Sequence, residues 1–138
     1  AKNYVLDTSA ILTLREDEEG AEQVENILRQ AQEGTAEVYG PFMMYMEAYY
    51  RVWQVEGEAS AKTTYAEMKA LPIQQVNLTE PILIIAGAIK AQHRLSVADA
   101  WIIATAVELQ ATLVHKDPEM EQAKDIVNLL NLPYKKGN

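Results

Sequence analysis

The sequence predicts an α/β protein, a three-layer α/β/α sandwich around a short, mainly parallel sheet of four or five strands. One sequence pattern and one rule of chain topology predict this class. Short apolar segments alternate along the chain with longer stretches whose apolar residues recur at helical spacing. Parallel strands need crossover connections, and right-handed crossovers place helices on both faces of the sheet. The 138 residues, 49% of them hydrophobic, suffice for one core, so residues 1–138 are expected to form a single domain.

The first half of the chain shows clear boundaries between elements. Asp7 and the two hydroxyl residues after it favour a helix start directly behind the first strand. Gly34 is a typical helix stop, and Gly40 with Pro41 is expected to interrupt the chain before a long apolar helix. The elements predicted here are a strand at 4–6 with a helix behind it, a helix at 20–32, a strand at 37–39 and a helix at 42–56.

The second half continues the alternation with weaker strands. Pro81 lies in the first turn of one predicted helix, and Ser96 precedes a helix that is apolar nearly all round. The elements predicted here are a helix at 60–70, a weak strand at 75–78, a helix from 79 onward, a helix at 96–107, a strand at 112–115, a short helix from 118 and an edge strand near 126–130.

Charge and composition exclude several classes of function. The chain has 12 Lys and Arg against 20 Asp and Glu, a net charge of −8, which argues against binding nucleic acid through surplus basic residues. It has no cysteine, which excludes disulfides, thiolate nucleophiles and cysteine-based zinc sites. Only two histidines are present, which argues against a multi-histidine metal site.

The apolar segments are too short to cross a bilayer. The longest uncharged apolar run, residues 82–89, falls far short of the ~20 residues that a membrane helix needs. The first residues carry no signal-peptide pattern. We therefore expect a cytoplasmic protein with no membrane partner.

Four acidic residues fall at one edge of the predicted sheet, where strands end and helices begin. Ligands bind at this edge in open α/β sheets, close to the point where the strand order reverses. Asp7 ends the first strand, and Asp117 follows the fourth. Glu47 lies in the second turn of the long helix, and Asp99 lies in the first turn of the most apolar helix.

Each acid also has a purely structural interpretation, which the sequence leaves open. Asp7 and Asp117 stand at helix N-cap positions, where Asp is favoured without any catalytic role. Asp99 follows a serine by three residues, the spacing of a capping box. Glu47 precedes Arg51 by four residues, the spacing of a surface ion pair on a helix.

Taken together, the four acids favour a metal site. Carboxylates that converge repel one another and raise each other's pKa unless a cation lies between them. Oxygen ligands without cysteine or paired histidine select Mg²⁺ or Mn²⁺. Such a cation also attracts phosphate oxygens, so it can supply the positive charge that an acidic protein lacks for a phosphodiester substrate.

The ordered set of acids resembles the PIN-domain nucleases, and among them the VapC-type toxins. The matching motifs are Asp7-Thr8-Ser9-Ala10 after a short strand, Glu47 in a mid-chain helix, Asp99-Ala100 followed by Ile103-Ala104-Thr105-Ala106, and Asp117 after a strand. The resemblance spans residues 3–132 and implies a PIN-like sandwich. It also implies a metal-dependent endoribonuclease, using Mg²⁺ or Mn²⁺, from a toxin–antitoxin pair. It further implies a homodimer, inhibited by a cognate antitoxin whose tail occupies the acidic groove.

The resemblance assigns roles to the matching residues. Asp7, Asp99 and Asp117 are expected to hold the metal, while Glu47 joins them as a ligand or orients and deprotonates the attacking water. Ser9 matches a small polar position beside the first acid. The alternative is a non-catalytic PIN-like module that has kept the fold and binds RNA or a protein partner.

His115 departs from the family pattern. Many relatives carry Ser or Thr two residues before the fourth acid, and this chain has His115 there. The histidine can donate to Asp117 or to a metal-bound water, or it can simply complete the strand. Glu119 and Glu121 are interpreted as first-turn acids that complement the helix dipole rather than as ligands.

Three basic residues lie near the predicted edges of the site. Arg15, Arg94 and Lys116 are candidates for holding the phosphates of a single-stranded RNA. Solvated surface charge is the alternative for all three.

The helix predicted at 42–56 belongs to a segment rich in large side chains. Six of the ten aromatic residues and three of the five methionines lie between positions 39 and 53. Core packing accounts for part of this set. The remainder predicts a homodimer interface or an antitoxin groove, because soluble monomers rarely expose large apolar patches.

Overall fold

The structure is a computed structural model, and it describes residues 2–136. It confirms the predicted fold class and the order of the elements. The strands are β1 (Lys2–Leu6), β2 (Ala36–Pro41), β3 (Gln74–Val76), β4 (Thr112–His115) and β5 (Leu129–Asn131). The helices are α1 (Thr8–Arg15), α2 (Ala21–Gln32), α3 (Phe42–Glu56), α4 (Glu58–Ala70), α5 (Glu80–Gln92) and α6 (Val97–Leu109), with a 3₁₀ helix over Pro118–Ala123.

All five strands form one parallel sheet in the order β3-β2-β1-β4-β5. β1 is central: Tyr4 lies opposite Val38 of β2, and Val5 lies opposite Leu113 of β4. The chain builds outward from β1 to β3 on one side and adds β4 and β5 on the other. The strand order therefore reverses between β1 and β4, and the carboxyl ends of these two strands flank the expected ligand site.

Two apolar cores lie on opposite faces of the sheet. Side chains alternate between the faces along a strand, so Leu6 joins one core and Val5 the other. The first core packs the sheet against α1, α2 and parts of α3 and α4. The second packs it against α5, α6 and the 3₁₀ helix. These are the three predicted layers.

β2 is longer than predicted, and the expected chain break at Gly40 and Pro41 is wrong. The strand continues through both residues, and Pro41 pairs in register with Val76 of β3. A Cβ on Gly40 would lie 2.7 Å from Met44 Cε and 2.9 Å from Ile73 Cγ2. Glycine is required here because the first turn of α3 packs closely against the strand.

The weaker elements are displaced from their predicted bounds. α4 begins at Glu58, two residues early, because Gly57 with a φ of 99° already ends α3 and reverses the chain. Asn77 and Leu78 leave the sheet, since the next residue, Thr79, caps α5 with its side chain. The structure places β3 at 74–76 and β5 at 129–131, in place of the predicted 75–78 and 126–130.

The helices of residues 2–136 can be compared with the prediction that the apolar segments are too short to cross a bilayer. No helix in this part of the chain combines the length and the apolar character that spanning a bilayer demands.

Candidate active site

The four predicted acids all lie at the carboxyl-terminal edge of the sheet. Asp7 follows β1 directly and Asp117 lies two residues beyond β4, on either side of the strand-order reversal. Asp99 lies in the first turn of α6 and Glu47 in the second turn of α3. The carboxylates are close enough to perturb one another electrostatically, Asp7 with Asp99 and Glu47, and Asp99 with Asp117.

Asp7 is a buried helix cap. Its side chain is only 3% exposed and accepts the Ser9 N–H at 3.1 Å, which satisfies one free donor at the start of α1. Burial is the main cause that raises the pKa of Asp7 to about 7; the charges of Asp99 and Glu47 add to the rise, and the hydrogen bonds from Ser9 oppose it. The cap prediction is confirmed. The raised pKa also means that the surroundings disfavour the charged form of the same carboxylate.

Asp99 occupies the first turn of α6 behind the N-cap Ser96. The Ser96 hydroxyl accepts the Asp99 N–H at 3.0 Å, as a capping box requires. Burial is the largest cause that raises the pKa of Asp99 to about 6. The charge of Asp117 is the second cause, and the charges of Glu47 and Glu119 contribute less. Proximity to other carboxylates is not part of a capping motif, so the cap alone does not explain this position.

Asp117, Asp99 and Glu119 form the tightest carboxylate cluster. One ligand oxygen from each lies within 4.8 Å of the other two. Asp117 caps the 3₁₀ helix by accepting the Glu119 N–H at 3.0 Å, which directs both side chains toward α6. Glu119 was interpreted from the sequence as a helix-dipole residue, and the structure brings it into the cluster as well.

Glu47 is held by a residue that the sequence did not single out. The Thr8 hydroxyl donates to Glu47 Oε1 at 2.6 Å, joining α3 to the start of α1. The structural alternative for Glu47, an ion pair with Arg51, does not occur among the ion pairs of residues 2–136. Helical spacing permits that pair, but Thr8 lies closer and restrains the carboxylate from the site side.

Ser9 links the ends of β1 and β4. Its hydroxyl donates to Asp7 Oδ2 and accepts the Lys116 N–H at 2.8 Å. The two strands that flank the strand-order reversal are therefore connected through one side chain. This contact fixes the distance between the Asp7 and Asp117 segments.

His115 is fully buried and bonds to the backbone beside the site. Its Nδ1 accepts the Asp117 N–H at 3.1 Å, so the ring proton is on Nε2, which donates to Asn131 Oδ1 at 2.5 Å. Burial lowers the pKa of His115, which keeps the imidazole neutral. Of the roles considered from the sequence, His115 completes β4 and does not donate to Asp117; instead its Nδ1 accepts from Asp117 and holds that main chain in place.

The three predicted RNA-binding cations have different surroundings. Arg15 makes ion pairs with Glu56 at 2.9 Å and Glu16 at 2.8 Å. The Lys116 side chain is 5% exposed, and its Nζ donates to the Glu19 carbonyl at 2.7 Å. Arg94 lies exposed in the connection between α5 and α6.

A groove of about 500 Å³ adjoins the acids and contains two cations that the sequence did not indicate. Ser9 and Asp117 line it, together with Arg51 from α3 and Lys135 from the segment after β5. Lys135 pairs with Glu18 at 3.1 Å. Arg51 follows Glu47 by four residues, but the sequence indicated it only as an ion-pair partner, and Lys135 lies beyond the acidic motifs. Only the folded chain reveals that both line the groove.

The donor set fits a hard divalent cation. Every candidate ligand is a carboxylate oxygen, the donor type that Mg²⁺ and Mn²⁺ prefer. The pKa values of Asp7 and Asp99 are raised first by burial and then by neighbouring carboxylates, and a bound cation favours the charged form against both causes. Asp99, Asp117 and Glu119 are the residues placed closely enough to share one ion.

Comparison with protein families identifies the fold family. Residues 4–126 match the family model for the PIN domain. The chain belongs to the PIN-domain family. The resemblance inferred from the acidic motifs is thereby confirmed over nearly the whole chain, and the four acids of this PIN domain lie at one edge of its sheet.

Solved structures share the PIN fold at low sequence identity. A chain of VapBC2 from Rickettsia felis, bound to a promoter DNA fragment, matches with a TM-score of 0.75 and 14% identity, covering 95% of this chain and 99% of that one. DNA-bound VapBC from Salmonella typhimurium gives 0.74 and 13%, covering 95% and 98%. VapBC-1 from nontypeable Haemophilus influenzae gives 0.68 and 17%, covering 94% and 97%. No curated protein matches by sequence.

Proposed function

We propose that this PIN domain is a metal-dependent endoribonuclease and the toxin of a VapBC-type toxin–antitoxin pair. One observation carries the catalytic part of the proposal. Asp7 and Asp99 come from distant segments, yet each has its pKa raised by burial and by neighbouring carboxylates at the strand-order reversal. A fold does not keep such repulsion without a compensating cation or a function that uses it.

The proposed cofactor is Mg²⁺ or Mn²⁺. Asp7, Asp99 and Asp117 are proposed to hold it, with Glu47 and Glu119 within reach of the same charge cluster. A divalent cation bound there supplies a Lewis acid that promotes deprotonation of water and offsets the charge of the phosphodiester. No side chain is proposed as a covalent nucleophile.

The chain's own residues are proposed to position the reactants. The Thr8 hydroxyl donates a hydrogen bond to Glu47 Oε1, which leaves Glu47 Oε2 to accept a proton from the attacking water. Ser9 fixes the Asp7 carboxylate, and His115 fixes the Asp117 main chain. Arg15, Arg94 and Lys116 remain candidates for phosphate contacts, although the protein partners of Arg15 and Lys116 must first be displaced.

Cleavage of single-stranded RNA tests the proposal. The native protein is expected to cut mixed RNA in Mn²⁺ or Mg²⁺ and to stop on addition of chelator. Asp7→Asn and Asp99→Asn are expected to lower the rate at least a hundredfold, a loss typical for a residue that assists proton transfer or metal binding. Activity that persists in chelator or in both variants contradicts the metal mechanism.

Melting curves provide a second readout that does not depend on turnover. Asp99→Asn removes repulsion together with a ligand, so it should raise the melting temperature in chelator and reduce the stabilisation gained from Mn²⁺. Equal Mn²⁺ stabilisation in native protein and variant supports a structural cap instead. If the native protein binds RNA but neither binds metal nor cleaves the RNA, the result matches the non-catalytic alternative.

The proposed protein partner is a cognate antitoxin. The structures of similar fold include several VapBC assemblies, and the acidic edge of this chain offers a charged groove for an inhibitory tail. A neighbouring small reading frame for a DNA-binding protein, whose product blocks cleavage on co-expression, tests this partner. RNA as a substrate also places the protein in the cytoplasm.

A homodimer is proposed as the assembly. Phe42, Met46, Tyr50 and Trp53 on α3 are each more than 40% exposed, and Leu83 and Ile84 on α5 are more exposed still. Phe42 and Met46 line a pocket together with Gln75 of the edge strand β3. A second copy covering them explains their exposure in the single chain.

A further inference from the structure

The groove beside the acidic cluster is lined by charges of both signs. Four cations line it: Arg15, Arg51, Lys116 and Lys135. Four acids line it as well: Glu16, Glu18, Glu56 and Asp117. A groove of this composition attracts a polyanion only through the cations that the acids do not already neutralise.

Three of these cations are occupied by partners within the chain. Arg15 forms a two-pronged ion pair with Glu56, at 2.9 Å for both oxygens, and a further bond to Thr64 at 2.9 Å. Lys116 and Lys135 both approach Glu18, at 3.5 Å and 3.1 Å. Binding a phosphate to any of the three therefore costs an existing interaction.

Arg51 is different, because it faces the groove without such a partner. Its side chain is exposed, and within residues 2–136 it takes part in no ion pair and in no side-chain hydrogen bond. Neighbouring acids are engaged elsewhere: Glu47 accepts from Thr8, and Glu56 binds Arg15. The planar guanidinium keeps all its donors free for a two-pronged contact to phosphate.

Arg51 also lies in line with the site. It follows Glu47 by one helical turn on α3, so the two side chains share one face of the helix. Arg51 and Val55, one turn apart on α3, line the same groove as Ser9 and Asp117. A strand whose reacting phosphate lies at the acids thus passes Arg51 as it leaves along the groove.

We propose that Arg51 binds a backbone phosphate next to the scissile one and that the single-stranded RNA follows this groove. The inference rests on the proposed ribonuclease function and names the residue that anchors its substrate. Contacts to phosphate carry no sequence information, so Arg51 contributes to affinity and register and not to the choice of bases.

Binding of a short fluorescent oligouridine tests the assignment. Binding is measured in Ca²⁺, which is also liganded by oxygen, and gels verify that the RNA stays intact. Arg51→Gln is expected to weaken binding roughly fivefold and to reduce the slope of log affinity against log salt by about 0.7, the value for one phosphate contact on a single strand. Arg29→Gln is the matched control, because Arg29 is exposed on α2, outside the groove.

Cleavage kinetics complete the test. Arg51→Gln should raise KM roughly fivefold and leave kcat within about twofold, because phosphate binding away from the reacting atoms is uniform in ground and transition states. Arg51→Lys should restore the salt slope. If native protein cleaves RNA and Arg51→Gln equals it in affinity and slope, the assignment is overturned.

Two further outcomes separate this inference from the proposed function. RNA that binds with the Arg51-dependent slope but is never cut supports the groove assignment and contradicts the ribonuclease. Arg51-dependent binding of an oligoglutamate peptide without Arg51-dependent RNA binding overturns the assignment, because the groove then receives an acidic protein segment.

Discussion

Asp7 serves both the fold and the candidate site. As an N-cap it satisfies a free donor of α1, and as a buried carboxylate beside Asp99 it carries a pKa of about 7. The sequence predicted the cap at Asp7 correctly, because an Asp at the end of a central strand is a good cap wherever it occurs. It could not show the burial, which depends on the packing of α3 and α6 around the strand end.

Lowering the pH should stabilise the metal-free protein. The pKa values of Asp7, about 7, and Asp99, about 6, exceed the ordinary value of 3.8, so between pH 4 and 7 the native state binds more protons than the unfolded state. Stability then falls as pH rises through this window. We expect the free energy of unfolding in chelator to drop by about 3 kcal/mol from pH 5 to pH 8, measured by urea unfolding.

Asp7→Asn isolates this effect from that of His115. Burial lowers the pKa of His115 below 6.5, so the histidine favours unfolding as pH falls and partly offsets the acids. Between pH 7 and pH 8 the histidine is mostly neutral in both states. The variant should lose most of the pH dependence in that range, and an unchanged slope contradicts the raised pKa of Asp7.

Asn131 should contribute to stability through His115. Asn131→Ala leaves the buried Nε2–H of His115 without its acceptor, and an unsatisfied buried donor costs about 1–2 kcal/mol. Asn128→Ala is the matched control, because Asn128 is exposed beside β5 and its side chain makes no hydrogen bond within residues 2–136. Equal unfolding free energies for the two variants contradict the assigned histidine contact.

The apolar pattern of the sequence predicted the helices and strands that form the core. It missed the element boundaries that depend on local packing. α2, α3 and α6 occur close to the predicted bounds because α2 has a strong apolar periodicity and the other two are apolar over most of their circumference. The edge strands β3 and β5 have three residues each and partly exposed side chains, so little apolar pattern marks them. Tertiary contacts and the cap at Thr79 decide where β3 ends.

The turn between β2 and α3 illustrates the same limit. Gly40 looks like a chain breaker in sequence, yet it lies in a strand and makes room for Met44 and Ile73. The conformational preference of glycine is a local property and can be predicted. The close approach of a side chain from the next helix cannot.

Gly40→Ala should therefore destabilise the protein, whereas Gly87→Ala should not. The new methyl group at position 40 meets Ile73 Cγ2, on a stiff β-branched side chain, at 2.9 Å and Tyr45 Cε2 at 3.1 Å, an overpacking that costs about 1–3 kcal/mol. Gly87 lies exposed in α5 with nothing near its Cβ position, so alanine there should add about 0.5–1 kcal/mol through helix propensity. Chemical unfolding of both variants measures this, and a Gly40→Ala protein as stable as the native one contradicts the packing at Gly40.

For the molecule as a whole, the sequence predicted the acids better than the cations. Acids at strand ends follow from topology, because parallel strands bring their carboxyl ends to one edge. The ion pair expected for Glu47 does not form, and Arg15 and Lys116 are bound to acids of the chain. Those contacts join residues up to 98 positions apart, which no local spacing reveals.

The apolar surface at the β3 edge should make the protein a dimer. Sedimentation of the native protein at micromolar concentration is expected to give twice the mass of one chain, and Met46→Glu should shift it to the monomer, because a charge in an apolar interface is left unpaired. Ile126→Glu is the control, since Ile126 is similarly exposed but lies beside β5 at the opposite edge. A native monomer, or equal effects of both variants, contradicts this interface.

Calorimetric titration with Mn²⁺ tests the central claim most directly, because it measures the carboxylate site without any substrate. The native protein at pH 7 should show saturable binding with release of protons, since Asp7, with a pKa of about 7, is partly protonated before the metal binds. Asp99→Asn and Asp117→Asn should each weaken binding at least tenfold. Saturable binding that both variants retain, or no saturable binding by the native protein, contradicts the claim that these acids form a metal centre.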